Sequence, residues 1–513
     1  MASTVSTEIW HPDGRVELRS LDEIKQSPYY NEDLAPVPVS KRNWTTYNYV
    51  ALWIGMAHCI PTYMMAAGLV AVGMNWWQAI LTIALGNIIV LAPMLLNSHA
   101  GTKYGIPFPI FVRSSFGILG SNVAALLRAG VACGWFGIQT WIGGGALYTV
   151  MGALFGDAWL KMGGQIGGNY VSMWLAFLVF WALNLYIIES GGMAAVRRFE
   201  NWAAPFVLVM AILLFVWMVS QAHGLGPILA EPGKLNSFGA FFPVFMPSLM
   251  GMIGFWATLS LNMPDFTRFG QSQRVQIVGQ ISALPTTMTF FSAIGILITS
   301  ATIIVYGGGD PSKAIWDPVV LVGKFSNPVV VIIALVTLAV ATLSVNIAAN
   351  VVSPSNDFSN AFPKLVSFKT GGYITGILGI LIMPWRLLSD PSIYIFSWLT
   401  LYAGALGAIA GVMAVDYWII RKTKLNLTDL YVAESRYGRW NWRAIVAIAV
   451  GIFFAIGGYY DPSAGVPNGL IPALKGLYDY SWLVGFFLSG IIYYVLMKMS
   501  PVTTEEPEAA QAV

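Results

Sequence analysis

Long apolar stretches alternate with short polar gaps from about residue 47 to residue 499. Runs such as VVVIIALVTLAVATL at 329–343 lack the alternation of apolar and polar residues that is typical of transmembrane barrel strands. Because only helices and closed barrels satisfy every backbone group in lipid, the pattern predicts an all-α integral membrane protein. We predict 12 transmembrane helices, numbered spans 1 to 12, at 47–70, 76–97, 119–154, 171–189, 201–221, 240–262, 277–306, 327–350, 371–388, 392–419, 442–459 and 479–499.

The composition supports this prediction. Of the 513 residues, 57% are hydrophobic and 10% are charged, whereas about 25% charged residues is normal for a soluble domain. The apolar residues would furnish roughly a dozen helices at about 20 residues each. A soluble enzyme, a nucleic-acid binder and a disordered protein are therefore excluded, and a net charge of +3 gives no argument for a polyanionic partner.

The distribution of Lys and Arg predicts the orientation. With the N-terminus inside, 20 of the 27 basic residues fall on the cytoplasmic side and 6 on the other, while Arg128 lies within span 3. Such a bias follows the positive-inside rule and places both termini in the cytoplasm. We therefore expect a solvated cytoplasmic tail at 1–46, a single transmembrane domain at 47–499 and a disordered tail at 500–513.

The segment at 98–118 joins spans 2 and 3. It is too apolar for a solvent-exposed loop and too rich in Gly and Pro for a span. We predict a re-entrant or surface-lying segment, because irregular backbone at membrane depth must be covered by protein or water.

Span 1 contains the first departure from a plain apolar helix. Pro61 removes a backbone donor, Gly55 weakens the helix nearby, and His58 and Cys59 lie in the same turn. An interrupted helix here would free carbonyl groups that could bind a cation. The alternative is a simple proline kink, which membrane helices tolerate.

Other departures place aromatic rings and amides at membrane depth. Trp135 and Gln139 are four residues apart and share a helix face, Trp256 lies deeper than an interfacial tryptophan, and Asn346 and Asn350 are one turn apart. An indole beside an amide suits a flat ring with hydrogen-bonding edges. Aromatic packing and interhelical amide bonds are the alternatives.

Ionised groups contribute little to this pattern. We expect Arg128 to snorkel or pair near the cytoplasmic end of span 3, and Asp265 and Arg268 to form a structural or gating contact at the inner face. The pattern fits a neutral, flat, hydrogen-bonding solute. There is no P-loop for ATP hydrolysis and no nucleophile–base pair among the scattered histidines, so we expect neither an enzyme nor a cofactor.

Six motifs in order give the chain a resemblance to a known family. They are NEDLAPV at 31–37, HAGTKYGIPFP at 99–109, RAGVACGWFGIQTW at 128–141, LNMPDFTRF at 261–269, SVNIAANVVSP at 344–354 and AGVMAVDYWIIRK at 410–422. The chain resembles the nucleobase–cation symport-1 transporters, most closely their allantoin, hydantoin and purine permeases, from about residue 31 to residue 499. The resemblance implies two inverted five-helix repeats, spans 1–5 and 6–10, with broken helices 1 and 6, plus two further helices.

The resemblance also implies roles for single residues. Trp135 corresponds to the substrate-stacking indole, Gln139 to its amide partner and Trp256 to a second aromatic wall. Asn350 corresponds to the amide that reads the polar edge of the substrate, with Asn346 close to it. Leu399 resembles a gating residue of span 10.

Two positions depart from the family pattern. Cys59 stands where a relative has glutamine and is a poorer hydrogen-bond partner. The implied sodium site uses carbonyl groups of Gly55, His58 and Ala341 and the hydroxyl of Ser344, but Val345 replaces a threonine ligand. Since hard cations prefer oxygen ligands, coupling to either Na⁺ or H⁺ stays open, and His58, with a reference pKa near 6.5, is a candidate proton carrier.

The expected function is cation-coupled import of a neutral nitrogen-rich heterocycle. Allantoin or a related hydantoin is the first candidate and a nucleobase such as uracil, cytosine or a purine is the second. We expect a monomer in the plasma (cell inner) membrane whose partners are the substrate, the coupling cation and the lipid bilayer, without nucleic acid. A passive channel and a membrane-embedded enzyme are the alternative classes.

Overall fold

The computed structural model describes the backbone of residues 7–461, 466 and 469–500, and the side chains of these residues except 191–205, 207 and 348. The predicted disordered tail therefore lies, apart from Ser500, outside the described residues. The helices of the twelve predicted spans are Thr46–Ala57 with Ile60–Ala71, Trp76–Tyr104, Ser121–Phe155, Val171–Gln221 for spans 4 and 5, Phe238–Phe255 with Ala257–Asn262, Gln273–Val305, Pro328–Asn350 with Val352–Ala361, Phe368–Leu381, Thr400–Ala414 between the π-helical stretches Ile393–Leu399 and Val415–Ile420, Trp442–Ile456 and Ser481–Met499.

Most of these helices are long and apolar enough to span a membrane, but fewer than twelve meet both conditions. Within the described part of the chain, eight helices are long and apolar enough to cross a membrane, or nine if the two halves of span 1 count as one. The helices of spans 9 and 11 have 14 and 15 residues, short of the usual length of about 20. The protein is a multi-pass membrane protein, and twelve spans stay a prediction.

Spans 4 and 5 differ from the expected pattern. The sequence predicts an interruption between residues 189 and 201, whereas the structure has one continuous helix of 51 residues, Val171–Gln221. At 1.5 Å per residue this helix is about 77 Å long, more than twice the hydrocarbon thickness of a bilayer.

Span 1 is broken where the sequence predicts. The helices Thr46–Ala57 and Ile60–Ala71 meet at an angle of 56°, and Cys59 between them is extended, with φ −130° and ψ 159°. Pro61 lies in the first turn of the second helix, where a missing N–H costs nothing. The Cys59 N–H donates to Ala57 O at 3.0 Å, whereas in a continuous helix it would donate to the Gly55 carbonyl.

Span 6 is broken at Trp256, as the resemblance implies. The helix Phe238–Phe255 ends there and Ala257–Asn262 begins, with Trp256 at φ −107° and ψ 8°. A short helix, Pro264–Thr267, follows. The two interrupted spans confirm the broken-helix architecture.

The segment at 98–118 is covered by protein. Span 2 continues to Tyr104, Gly105 turns the chain with φ 69°, and two one-turn helices follow at Phe108–Phe111 and Arg113–Phe116. All residues of both short helices are buried. The prediction of irregular backbone shielded by protein is confirmed, although the first seven residues of the segment belong to span 2.

The N-terminal segment is folded, which corrects the expectation of a solvated tail. Strands β1, Glu8–Trp10, and β2, Val16–Leu18, form an antiparallel hairpin. Val16 and Leu34 are fully buried, and Ser27 Oγ donates to Tyr431 O at 2.5 Å. The segment thus packs on the loop between spans 10 and 11. A second hairpin pairs β3, Gln165–Ile166, with β4, Asn169–Tyr170.

Within the described ranges, nine short helices and five 3-10 turns join these elements. The helices not yet named are Asp22–Lys25, Asp157–Leu160, Leu225–Ala230, Pro318–Val322, Pro384–Leu387 and Lys475–Tyr478, and the turns are Glu32–Leu34, Val39–Lys41, Pro311–Lys313, Thr428–Leu430 and Pro472–Leu474. Span 3 packs along span 8, and spans 10, 11 and 12 pack together. The candidate site lies where spans 1, 3, 6, 8 and 10 approach each other.

Candidate functional site

An aromatic cluster lies at the break in span 6. The Phe255 ring is edge-on to Trp135 at 5.1 Å between centroids and to Trp256 at 5.0 Å. Trp53 of span 1 meets Trp256 edge-on at 5.2 Å. The two indoles that the resemblance assigns to substrate stacking therefore border one cluster, with the phenyl ring of Phe255 against both of them in this conformation.

Span 10 fixes the indole of Trp135. Trp135 Nε1 donates to the Tyr402 hydroxyl at 3.0 Å, and both side chains are buried. Tyr394 meets the same indole edge-on at 6.1 Å and donates from its hydroxyl to Pro61 O at 3.3 Å. Tyr394 thus connects span 10 to the broken helix of span 1 beside the aromatic cluster.

Buried polar atoms without a hydrogen-bond partner lie at and beside this cluster. Gln139 is 3% exposed and Trp256 is 4% exposed. Among the described residues, Gln139 Oε1, Trp256 Nε1 and Trp53 Nε1 have no hydrogen-bond partner. A buried polar atom without a partner costs about 1–3 kcal/mol. One acceptor and two indole donors are therefore available to a ligand that offers both N–H and C=O groups.

The two asparagines of span 8 form a network. Asn346 Nδ2 donates to Thr140 Oγ1 and to Asn184 Oδ1, each at 3.1 Å, while Asn350 Nδ2 donates to Asn346 Oδ1 at 3.0 Å. Asn346 is thus held by spans 3 and 4. Asn350 uses its amide nitrogen for this network, and its side-chain carbonyl oxygen takes part in none of these bonds.

Cys59 lies at the break in span 1. Its Sγ is 3.3 Å from Thr62 Oγ1, and Thr62 in turn contacts Met288 of span 7. Burial and this local contact make the thiol a weak partner for a polar ligand.

The residues of the implied sodium site lie on two elements that contact each other, span 1 and span 8. His58, Ala341 and Ser344 are all buried. The His58 ring packs on Phe291 at 5.0 Å, and its Nδ1 has no hydrogen-bond partner within the described part of the chain. The break after Ala57 leaves the Gly55 carbonyl outside the helical pattern, as a carbonyl ligand requires.

Leu399 is fully buried at the junction of the π-helical stretch and the α-helix of span 10. A Cβ added to Gly254 would lie 2.5 Å from Leu399 O. Spans 6 and 10 therefore approach one another through a glycine next to the aromatic cluster, which places Leu399 beside the candidate site.

The charged residues at the inner end form polar contacts, and Arg128 is paired, one of the two arrangements expected for it. Arg128 Nη1 pairs with Asp357 Oδ2 at 3.1 Å, and both side chains are 0% exposed. Asp265 accepts from the Phe108 N–H at 2.9 Å, and Arg268 donates to the Asp33 carbonyl at 3.1 Å. Asp265 and Arg268 thus each form a structural contact at the inner face, and each one holds a different neighbouring segment, while a gating role stays a prediction.

Several site residues escaped the sequence analysis. Tyr402 and Tyr394 follow Trp135 by more than 250 residues, and no local spacing connects them. Asn184 carried a usable signal, since it is an amide within the apolar run of span 4. Phe255 and Trp53 could not be distinguished from the many other aromatic residues of the spans.

Comparisons with known proteins show the family of this chain. The model of the family "Permease for cytosine/purines, uracil, thiamine, allantoin" matches residues 36–485. The allantoin permease of Bacillus subtilis is 43% identical over 92% of this chain and 94% of its own length. The purine-uracil permease NCS1 of Arabidopsis thaliana is 38% identical over 91% of this chain and 78% of its own length.

A solved structure matches the fold. Mhp1, a nucleobase-cation-symport-1 family transporter in a closed conformation with bromovinylhydantoin bound, superimposes with a TM-score of 0.74 at 24% identity, over 93% of this chain and 98% of Mhp1. Broken spans around a buried polar centre define a membrane transport protein of the class built on inverted repeats. The chain belongs to the nucleobase–cation symport-1 family of permeases.

Proposed function

We propose that this transporter imports a neutral nitrogen-rich heterocycle, allantoin or a related hydantoin, together with a cation. The observation that carries the proposal is the group of unpartnered polar atoms beside the aromatic cluster, Gln139 Oε1 and Trp256 Nε1. The name of the 43% identical relative points to the same substrate class.

The chemistry of the centre supports a flat ring with both donors and acceptors. A ring N–H would donate to Gln139 Oε1, and a ring carbonyl would accept from Trp256 Nε1. Aromatic contacts with the indoles would add about 0.5–1.5 kcal/mol each beyond burial. For a ligand to stack between the indoles, the Phe255 ring that contacts both must move aside. A nucleobase offers the same groups, and the 38% identical purine-uracil permease supports it as the second candidate.

The coupling ion is part of the proposal. Sodium would be held by carbonyl groups of Gly55, His58 and Ala341 and by the Ser344 hydroxyl. Val345 supplies no oxygen to such a site, so a proton is the alternative, with His58 as its carrier. We further propose a monomer in the plasma (cell inner) membrane with both termini cytoplasmic, supported by the excess of basic residues on that side.

Uptake into proteoliposomes tests the function. Purified protein is reconstituted, and radiolabelled allantoin is supplied with an inward sodium gradient or an inward proton gradient. Accumulation above equilibrium under either gradient supports the proposal and identifies the ion. At a substrate concentration below the KM, uptake by the Gln139→Ala variant should fall about tenfold, whereas the Asn87→Ala variant, which changes another buried amide in span 2, should retain it.

Two results would contradict the proposal. Flux that never exceeds equilibrium under both gradients would indicate a passive channel. Uptake of uracil or a purine with no uptake of allantoin or aryl-hydantoins would replace the substrate class with the second candidate.

A further inference from the structure

A large apolar groove lies apart from the aromatic cluster, between spans 1, 5, 7 and 8. Its volume is about 480 Å³, within the range of about 300–1,000 Å³ that small-ligand pockets have. Its floor includes Ile60, Tyr63, Phe291 and Ile298, which are at most 5% exposed. The groove is therefore a deep recess and not a shallow surface depression.

The groove opens towards the lipid. At its mouth lie Leu213 of span 5 and Val330 and Ile333 of span 8, which are 56%, 45% and 51% exposed. These are apolar residues on membrane-spanning helices, so the surface they form is continuous with the surface that meets lipid. The bilayer is the neighbour that supplies an occupant through this mouth.

The length of the groove fits a hydrocarbon chain. On span 8 the lining recurs at Val330, Ile333, Thr337 and Ala341, a single face of the helix. Eleven residues at 1.5 Å each give about 17 Å, close to the roughly 15 Å of hydrocarbon in one leaflet. The groove thus runs along one leaflet instead of across the membrane.

One end of the groove is polar. Ser326 and Asn327 line it just before span 8 begins, and both are exposed. From there the lining is almost entirely apolar down to Cys59 and Ala341. A polar end beside solvent and an apolar length within the membrane match an amphiphile with a headgroup and one long chain.

We propose that this groove binds one acyl chain of a membrane phospholipid, with the headgroup beside Ser326 and Asn327. The chain packs against the second helix of span 1, and its terminal carbons reach Cys59 and Ala341. Since these two residues border the break in span 1 and the candidate ion site, the lipid supports the wall that separates that site from the bilayer. The inference does not depend on which heterocycle is transported.

Photolabelling of the full-length protein tests the lipid site. The protein is reconstituted in vesicles of phosphatidylcholine that carries a diazirine near the end of one acyl chain, irradiated, digested and mapped by mass spectrometry. We expect adducts on the buried floor at Ile60, Tyr63 and Phe291. Matched controls are Met65 of span 1 and Ile296 of span 7, which are equally buried but outside the groove and should stay unlabelled.

A pair of variants makes the test specific. Ala334→Trp places a large ring in the groove and should abolish labelling of the floor, while Ala182→Trp, on the exposed face of span 4, should leave it unchanged. In the unmodified protein, the proposal would be overturned if labelling were confined to exposed residues such as Leu213 and the floor residues were labelled no more than Ile296. Floor labelling that persists in Ala334→Trp would also overturn it.

Discussion

Two buried regions of this transporter, the contacts around Arg113 at the inner end and the aromatic cluster at the centre, treat their polar side chains in opposite ways. At the inner end, Arg113 donates to Asn360 Oδ1 at 2.7 Å, to Leu430 O at 2.7 Å and to Tyr29 O at 3.2 Å. The guanidinium thus connects the short helices after span 2 to span 8, to the loop after span 10 and to the N-terminal segment. The hydrogen bonds of this guanidinium thus stabilise the packing of four segments.

The centre leaves comparable groups unpaired. Gln139 Oε1 and Trp256 Nε1 have no partner within the described residues, although both side chains are buried. Since an unsatisfied buried polar atom is costly, the position of these two atoms beside broken helices supports the proposal that they contact a ligand. The difference teaches that the satisfied polar groups around Arg113 maintain structure, whereas unpartnered atoms that also border the aromatic cluster and a broken helix are the candidates for contacting a ligand.

Removing Arg113 should have the largest effect. The Arg113→Met variant leaves the acceptors of Asn360, Leu430 and Tyr29 without their donor, at about 1–3 kcal/mol for each one that stays buried. We expect a clearly lower melting temperature of the detergent-solubilised protein. The control is Arg274→Met, which changes an exposed arginine. Equal melting temperatures for the two variants would show that the contacts of Arg113 do not stabilise the fold.

Removing the central amide should affect transport without destabilising the protein. We expect Gln139→Leu to raise the KM for allantoin by about tenfold, equivalent to about 1.4 kcal/mol. Its melting temperature should be unchanged or higher, because an unpaired polar group has been replaced by an apolar one. Both quantities are measured on the same preparation, by uptake kinetics and by thermal melting.

The control for Gln139→Leu is Asn87→Leu. Asn87 Oδ1 is also buried without a partner in the described structure, but the residue lies in span 2 away from the aromatic cluster. Its KM should stay at the value of the unmodified protein. A similar rise in KM for both variants would mean that unpaired amides do not identify the site.

The indole donor gives a smaller effect. Trp256→Phe keeps an aromatic ring but removes Nε1, and one neutral hydrogen bond is worth about 0.5–1.5 kcal/mol, so we expect KM to rise by about two- to tenfold. Trp482→Phe removes another unpartnered indole donor, on span 12, and should not change KM. If Trp256→Phe transports like Trp482→Phe, the indole of Trp256 contributes no hydrogen bond.

The smallest effect concerns the N-terminal hairpin. Burial raises the pKa of Glu8 above its usual value, while the hydrogen bond that its carboxylate accepts from the Leu427 N–H acts in the opposite direction. A raised pKa in the docked state means that docking is favoured by protonation. Docking therefore strengthens as the pH falls through this pKa and weakens as the pH rises above it.

Limited proteolysis after Arg15 and Arg19 measures this docking. Glu8→Gln should protect the hairpin more than the unmodified protein at pH 7.5, and the two should converge once the pH falls below the ordinary pKa of the carboxyl group, 4.5. Glu23→Gln, which changes an exposed carboxylate, serves as the control. A Glu8→Gln variant that is cleaved faster at pH 7.5 would show that the charged form stabilises docking.

The sequence predicts structure best at residues such as proline, whose effect on a helix does not depend on distant contacts. Pro61 and Gly55 predicted the break in span 1, and the structure has it at Cys59. The interruption at Trp256 came only from the resemblance, because flanking glycines alone do not break a helix. The sequence also contains a signal for the N-terminal hairpin, a Pro-Asp-Gly turn between two short alternating runs. The mixed charge of the segment nevertheless favoured a solvated tail.

The partners of the site residues could not be predicted. Trp135 and Tyr402 are 267 residues apart in sequence, and only the packing of spans 3 and 10 brings them together. The pairing of Arg128 with Asp357 has the same origin. Spacing arguments work within one helix, where residues four apart share a face, and they contain no information about which helices become neighbours.

A structure of the protein determined with allantoin bound would test the central claim most directly. The account predicts ligand density at the break in span 6, within hydrogen-bonding distance of Gln139 Oε1 and Trp256 Nε1, with the Phe255 ring displaced from between the indoles. Density elsewhere, with Phe255 unmoved and both polar atoms still unpaired, would contradict it.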